Sequence, residues 1–269
     1  MELLTILGYI GAILIGVVLG LIGGGGSILT VPVLVYLFGL SPVMGTAYSL
    51  FVVGFTSLIG AIKNFRQGMV DVKTGIVFAI PAFIAVYLTR KFLVPAIPNE
   101  LFNIGDFVLT KSIAIMVFFA IIMFLAAFAM IRNKCVGDNC DEGQEIPVYN
   151  YPLIIVEGFV VGTLTGIVGA GGGFLIIPAL VLLAKLPMKK AVATSLMIIA
   201  IKSLIGFIGD VENLEIDWSF LGIITVLSVL GIFIGVALNK VIPGAKLKRA
   251  FGWFVLLMAL YIMYRELFA

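Results

Sequence analysis

The sequence contains no histidine, only two cysteines and few charged residues. Lysine, arginine, aspartate and glutamate make up 12% of the 269 residues, about half of the ~25% found in soluble domains. Cys135 and Cys140 cannot complete a tetrahedral metal site by themselves. We interpret them as spare loop thiols, with a regulatory disulfide or a shared metal site as the alternative. No metal site and no cofactor are therefore expected.

The scarcity of reactive side chains also argues against an enzyme. The apolar segments contain no serine–base pair and no metal-binding cluster, so the residues for acid–base or metal catalysis are almost absent. The glycine-rich segments do not continue into the Gly-Lys-Ser/Thr of a nucleotide-binding loop. The net charge of +3 comes from basic residues scattered at segment ends, so no nucleic-acid partner is expected.

Long apolar blocks dominate the sequence instead. Hydrophobic residues make up 62% of the chain, and the mean hydropathy is +1.25. Most blocks approach the ~20 residues that a helix needs to cross a bilayer. They cover residues 3–22, 43–62, 75–88, 113–131, 153–168, 191–209, 220–238 and 251–263. The first block lacks a basic leader and is interpreted as a membrane helix, not a signal peptide. The pattern predicts an all-α polytopic membrane bundle.

The chain also contains an internal repeat. A shift of 146 residues aligns 16–71 with 162–217 without a gap, and about a third of the 56 positions are identical. The identities include glycines, a proline, serines and the aspartates Asp71 and Asp217, which we interpret as helix or loop caps. The halves are predicted at 1–131 and 151–269, joined by a polar cytoplasmic linker at 132–150.

The orientation of the halves depends on two short apolar stretches at 27–40 and 173–186. If both stretches cross the membrane, each half has five segments and the second half is inverted. Twelve lysines and arginines then lie on the cytoplasmic side, and four (Arg90, Lys91, Lys111 and Arg265) lie outside. If the stretches turn back, the split is ten against six. The positive-inside rule favours ten segments and an inverted repeat, an arrangement known in secondary transporters.

Glycine clusters at 20–27 and 166–173 are the candidate site. Consecutive glycines break a helix, and such a break in a membrane must be buried in protein or line a polar cavity. A helix that starts after the break presents amide N–H groups that attract anions. We expect Gly25, Gly26, Gly171 and Gly172 to present amides to one shared anion. The alternative is that the glycines only permit close contact between helices, the role expected of Gly16, Gly20, Gly162 and Gly166.

Polar residues at membrane depth complete the predicted site. Lys202 breaks the symmetry of the repeat, because Thr56 is its counterpart; it either attracts an anion or pairs with a carbonyl or carboxylate. Glu157 is the candidate for proton coupling, or a carboxyl near the interface. The buried hydroxyls serve either helix contacts or substrate. The full set of predicted substrate contacts is Gly24, Gly25, Gly26, Ser27, Ser49, Ser57, Gly171, Gly172, Gly173, Thr194, Ser195 and Lys202.

The paired blocks of the repeat resemble the sulfite exporter TauE/SafE family of bacterial membrane proteins. The matching blocks are 22–32 and 68–71 in the first half, and 168–178 and 214–218 in the second. Two positions depart from the repeat: one glycine of the first cluster has Ala170 as its counterpart, and Leu214 replaces Gly68. The resemblance implies export of a small anion, often a sulfur oxyanion such as sulfite, across the bacterial cytoplasmic membrane.

We therefore expect a secondary transporter of a small anion, embedded in the lipid bilayer of the bacterial inner membrane. A homodimer is a candidate assembly. The alternatives left open are transport of another small organic anion and a membrane scaffold that transports nothing. A scaffold would not need glycine breaks at matched positions in both halves.

Overall fold

Helices form nearly all of the described structure. A computed structural model describes residues 2–24, 26–98, 100–104, 107–132, 151–169, 171–182, 186–242 and 244–268. In the first half the elements are α1 (Glu2–Ile22), α2 (Gly26–Pro32), α3 (Pro42–Arg66), α4 (Val72–Leu88), α5 (Val94–Ala96), β1 (Glu100–Ile104), β2 (Phe107–Thr110) and α6 (Lys111–Arg132). In the second half they are α7 (Tyr151–Val168), α8 (Gly173–Leu182), α9 (Met188–Val211), α10 (Trp218–Val241) and α11 (Gly244–Phe268). The predicted helical class is confirmed.

Helix starts repeat in the two halves because the caps repeat. Asp71 Oδ1 accepts the amide N–H of Thr74 at 3.0 Å, and Asp217 Oδ1 accepts those of Ser219 and Phe220, also at 3.0 Å. A capping carboxylate satisfies amides that have no partner within the helix. The interpretation of both aspartates as caps is confirmed, and α4 and α10 begin 146 residues apart.

Equivalent helices of the two halves meet at the centre of the bundle. Leu50 of α3 lies against Gly206 of α9, whereas Gly60, further along α3, lies against Leu196, earlier in α9. The two helices therefore run in opposite directions. An inverted repeat requires this geometry, but the orientation of each half in a bilayer stays a prediction.

The outer helices exchange partners between the halves. Gly16 and Gly20 of α1 lie against the backbone of α10, and Gly162 and Gly166 of α7 lie against α4. Because glycine has no side chain, the backbones approach closely, as in other small-residue contacts of membrane helices. The predicted contact role of these four glycines is confirmed. A third pair, α6 and α11, packs through an apolar cluster that includes Phe119 and Ala259.

Two widened, π-helical turns and a hairpin depart from a simple bundle. The turns cover Val33–Leu37, which extends α2, and Thr89–Leu93, which joins α4 to α5. The first follows Pro32, which has no N–H to continue the α-helical ladder. Strands β1 and β2 pair antiparallel between α5 and α6. The hairpin has no counterpart between α10 and α11, and the sequence did not predict it.

Several helices are long and apolar enough to cross a membrane. Within the described residues five qualify by length and composition: Leu4–Ile22, Pro42–Arg66, Val72–Ala96, Lys189–Val211 and Trp218–Asn239. Shorter apolar helices cover Gly26–Leu37, Lys111–Leu125 and Ile154–Val168. Large apolar side chains such as Leu14, Phe124 and Leu257 are exposed on these helices. A lipid-facing surface has this composition.

Candidate functional site

The two glycine breaks touch each other in the interior. A Cβ built on Gly24 would overlap Cα of Gly173, and a Cβ built on Gly173 would overlap Cα of Gly24. The backbones at the starts of α2 and α8 are therefore in direct contact. Only glycine allows this approach. Two segments that are 146 residues apart in sequence thus form one buried region.

The second break has the more unusual backbone. Gly169, Gly171 and Gly172 have φ values of +70°, +63° and +67°, in the left-handed region that other residues rarely adopt. Gly171 lies beside Val53 and Ser27, so it reaches both α3 and α2. Within the described chain, no backbone carbonyl accepts the N–H groups of Gly171 or Gly172.

The first break contacts the neighbouring helices α9 and α1. Gly23 (φ +74°) lies beside Ser195 Oγ and the carbonyl of Val192. Ser27 Oγ donates to the carbonyl of Gly24 at 2.5 Å. Gly26 begins α2 and faces α1, where a Cβ would meet Leu19. The predicted contact Gly25 lies outside the described residues.

Lys202 places its side-chain amine at the second break. Its side chain is 1% exposed, and Nζ donates to Thr165 Oγ1 at 2.7 Å. A Cβ built on Gly172 would lie 2.7 Å from Nζ. No carboxylate pairs with Lys202 among the residues that the structure describes. The repeat aligns Thr165 with Leu19 and Lys202 with Thr56. The first break therefore has no counterpart of this lysine.

Buried hydroxyls on the two central helices have no partner. Ser49, Thr56 and Ser57 of α3 and Ser203 of α9 are 0% exposed, and in the described structure none of their Oγ atoms makes a hydrogen bond. Buried polar atoms are nearly always satisfied in proteins. Water or a polar ligand that reached these hydroxyls would satisfy them.

The remaining predicted hydroxyls make protein contacts. Thr194 Oγ1 accepts the N–H of Asp71 at 2.9 Å, so it holds the start of α4. Ser195 Oγ donates to the carbonyl of Val192 at 2.8 Å while lying beside the first break. Thr194 is thus placed at the α4 cap, and Ser195 joins the glycine region.

A buried ion pair was missed by the sequence analysis. Arg90, counted there as a cation outside the membrane, is 0% exposed. Its Nη1 atom lies 3.4 Å from Asp210 Oδ2 and 3.1 Å from Thr46 Oγ1, and its Nη2 atom lies against Gly169. Without Arg90, three cations remain on the outside in the charge count, so the split still favours the same orientation. Arg90 lies in the π-helical turn at Thr89–Leu93, which the sequence did not predict.

Glu157 lies apart from the breaks. Glu157 is half-buried on α7, and its neighbours Val156 and Phe159 are exposed. No polar partner of Glu157 is found among the described residues. Cys135 and Cys140 lie outside the described residues. The described chain also holds no cluster of three His, Cys, Asp or Glu side chains suited to a metal ion.

Comparison with known proteins identifies the family. The model of the sulfite exporter TauE/SafE family matches residues 9–262. The chain belongs to the sulfite exporter TauE/SafE family. It is therefore a multi-pass membrane protein of a transporter family, as the resemblance implied.

The relatives of this TauE/SafE chain match along most of its length. It is 29% identical over 280 residues to the probable membrane transporter protein YunE of Bacillus subtilis (strain 168), an alignment that covers 99% of this chain and 98% of the relative. A probable membrane transporter protein of Xylella fastidiosa (strain 9a5c) is 26% identical over 256 residues, covering 94% and 92%. These relatives fit a bacterial cytoplasmic membrane. No solved structure matches.

Proposed function

We propose that this TauE/SafE chain is a secondary transporter that exports a small anion, with sulfite or a related sulfur oxyanion as the leading substrate. The observation that carries the proposal is the contact between the two glycine breaks beside the buried cation of Lys202. A membrane transporter follows from the family and its relatives; the anion and the site are inferred from the residues that meet there.

The chemistry of this region suits an anion. Lys202 brings a positive charge, and the unpartnered amides of Gly171 and Gly172 bring hydrogen-bond donors. A hydrogen bond to a charged group is worth about 1.5–3 kcal/mol. Two or three such contacts offset part of the hydration that a small oxyanion loses in the interior. No described carboxylate pairs with Lys202 to cancel its charge.

The close approach of the two breaks also favours a small substrate. The breaks touch at Gly24 and Gly173, and Gly171 lies directly beside Ser27. A bulky organic anion would have to separate the two half-helices, whereas a compact oxyanion needs only amide and hydroxyl groups around it. The unpartnered hydroxyls of Ser57 and Ser203 lie on the two helices that cross here.

Flux of a labelled anion into proteoliposomes tests this function. Vesicles with the purified protein are loaded with buffer, and uptake of ³⁵S-sulfite is followed under nitrogen, with sulfate, thiosulfate, taurine and acetate as competitors. We expect saturable uptake that sulfur oxyanions inhibit and that empty vesicles lack. Inhibition by acetate alone would support the organic-anion alternative. Absence of sulfite uptake would refute sulfite as the substrate. Absence of uptake also for each of the other anions, supplied in labelled form, would leave the scaffold alternative and refute the proposal.

A further inference from the structure

A cavity of about 190 Å³ opens between the end of α3, the start of α9 and the end of α10. The polar side chains that line it are Asn64, Gln67, Lys189 and Asn239. Sites for drug-sized ligands usually measure about 300–1,000 Å³. The cavity is therefore suited to a small solute.

The floor of the cavity adjoins the first glycine break. Gly20, which lies one turn before the break, and Val192 line it. The carbonyl of Val192 lies beside Gly23. The cavity is therefore lined by a residue, Val192, that also contacts the first break at Gly23.

The polar groups in the cavity favour a negative charge. Lys189 is partly exposed and, among the described residues, forms no ion pair. Asn64 and Gln67 bring side-chain amides, and Asn239 is held in place by a hydrogen bond from Nδ2 to the carbonyl of Leu21. Among the described residues, no carboxylate lines the cavity. One cation with neutral amide donors around it attracts an anion and repels a cation.

The repeat provides an internal comparison, because the same place in the other half is filled. The positions related to Asn64, Val192 and Val236 by 146 residues are Asp210, Thr46 and Arg90. There the guanidinium of Arg90 occupies the space between Asp210 and Thr46 and reaches Gly169, the counterpart of Gly23. A second ion pair, between Lys91 and Glu212 at 3.1 Å, lies beside it. Charged side chains of the protein therefore fill one end of the bundle. The related end is open and carries Lys189, which pairs with no described carboxylate.

We propose that the open cavity is a vestibule that binds a small oxyanion before it reaches the glycine breaks, with Lys189 as its attracting charge and Asn64 and Gln67 as donors. This inference rests on the proposed transport function and adds a second site to it. The vestibule lies at the end of the bundle where the charge count places the cytoplasm.

The first experiment does not depend on transport. In a full-length chain with Cys135→Ser and Cys140→Ser, Met69→Cys supplies one thiol at the cavity, which Met69 also lines. Its modification rates by a methanethiosulfonate bearing a sulfonate and by one bearing a trimethylammonium group are compared, each normalised to a free thiol. We expect the anionic reagent to react faster, and 10 mM sulfate to slow it.

Matched charge variants decide whether Lys189 is responsible. Lys189→Gln should lower the ratio of anionic to cationic rates about tenfold, which corresponds to about 1.4 kcal/mol. Lys190→Gln, which removes the next and exposed charge along the chain, should change it less than twofold. Asn64→Asp, which introduces the carboxylate found in the other half, should lower the ratio further. Equal ratios in the Lys189 and Lys190 variants, or no protection by sulfate, would overturn the vestibule.

A sided flux assay separates this inference from the proposed function. We expect Lys189→Gln to raise the KM for ³⁵S-sulfite about tenfold from the Lys189 face and less than twofold from the other face. If wild-type flux is absent but the thiol rates follow the expected pattern, the transport proposal fails and the anion vestibule stands. If flux is normal while Lys189→Gln changes neither the KM nor the rate ratio, the vestibule fails and the transporter stands.

Discussion

Alanine substitutions at Gly24 and Gly173 give the sharpest test of the contact between the two breaks. A Cβ on either residue would overlap Cα of the other, and no flexible side chain could move aside because both neighbours are backbone. Overpacking a buried contact costs about 1–3 kcal/mol, occasionally more. We expect each single variant to lower the apparent melting temperature by roughly 2–5 °C and to reduce anion flux strongly.

The control is Gly222→Ala on α10, where an added Cβ meets nothing within 4 Å. Alanine is favoured over glycine in a helix by about 1 kcal/mol, so this variant should be neutral or slightly stabilising. The double variant at the breaks should cost less than the sum of the two single variants, because either Cβ already separates the half-helices. Melting is measured at a fixed scan rate in one detergent, and flux in proteoliposomes.

Two outcomes would refute a contact between the breaks. If both single variants melt with the wild type and transport at its rate, the breaks are not in contact in the working protein. Strictly additive losses in the double variant would also contradict a shared contact, because two independent sites would then be responsible.

Three further predictions concern charges and thiols. Lys202→Met should weaken anion affinity by tenfold or more at unchanged abundance, whereas Lys202→Arg should keep part of the affinity in a binding assay with purified protein. Arg90→Val alone leaves Asp210 buried without its partner and should cost about 3–5 kcal/mol; adding Asp210→Asn, which copies the other half, should recover most of the loss in melting temperature. Cys135 and Cys140 should be free thiols that an impermeant maleimide does not label in intact cells.

Each of these predictions has a contradicting outcome. Normal affinity in both Lys202 variants would make this residue structural. A double variant that melts no higher than Arg90→Val would mean that the ion pair does not hold the closed end. Rapid maleimide labelling from outside would overturn the arrangement of five segments in each half.

The repeat made most of the helical framework predictable. Glycine, proline and aspartate have strong local preferences, so Asp71 and Asp217 marked helix starts that the structure confirms. The contact glycines Gly16 and Gly162 were also identified, because their spacing is typical of close helix pairs. These features depend on short stretches of sequence.

Features that depend on distant partners were not predictable from one sequence. Arg90 looked like a cation at a segment end, and only the π-helical turn and the approach of Asp210 from α9 explain its burial. Thr194 looked like a substrate contact, but its hydroxyl accepts the N–H of Asp71 in the other half. Gly26 and Gly172 are equivalent in the repeat, yet one faces Leu19 and the other faces Lys202.

The exchange of helices between the halves has a consequence for biogenesis. The N–H of Asp71 is held by Thr194, and the N–H of Asp217 is held by the hydroxyl of Tyr48 at 2.6 Å, so each half fastens a turn to the other. The first half leaves the ribosome before the second half exists, and until then α1 lacks its contact with α10 and α4 lacks its contacts with α7 and α9. The newly inserted first half must therefore persist in the bilayer as an incomplete unit. A chain cut within 132–150 should consequently be degraded when its halves are made separately and recovered when both are made together.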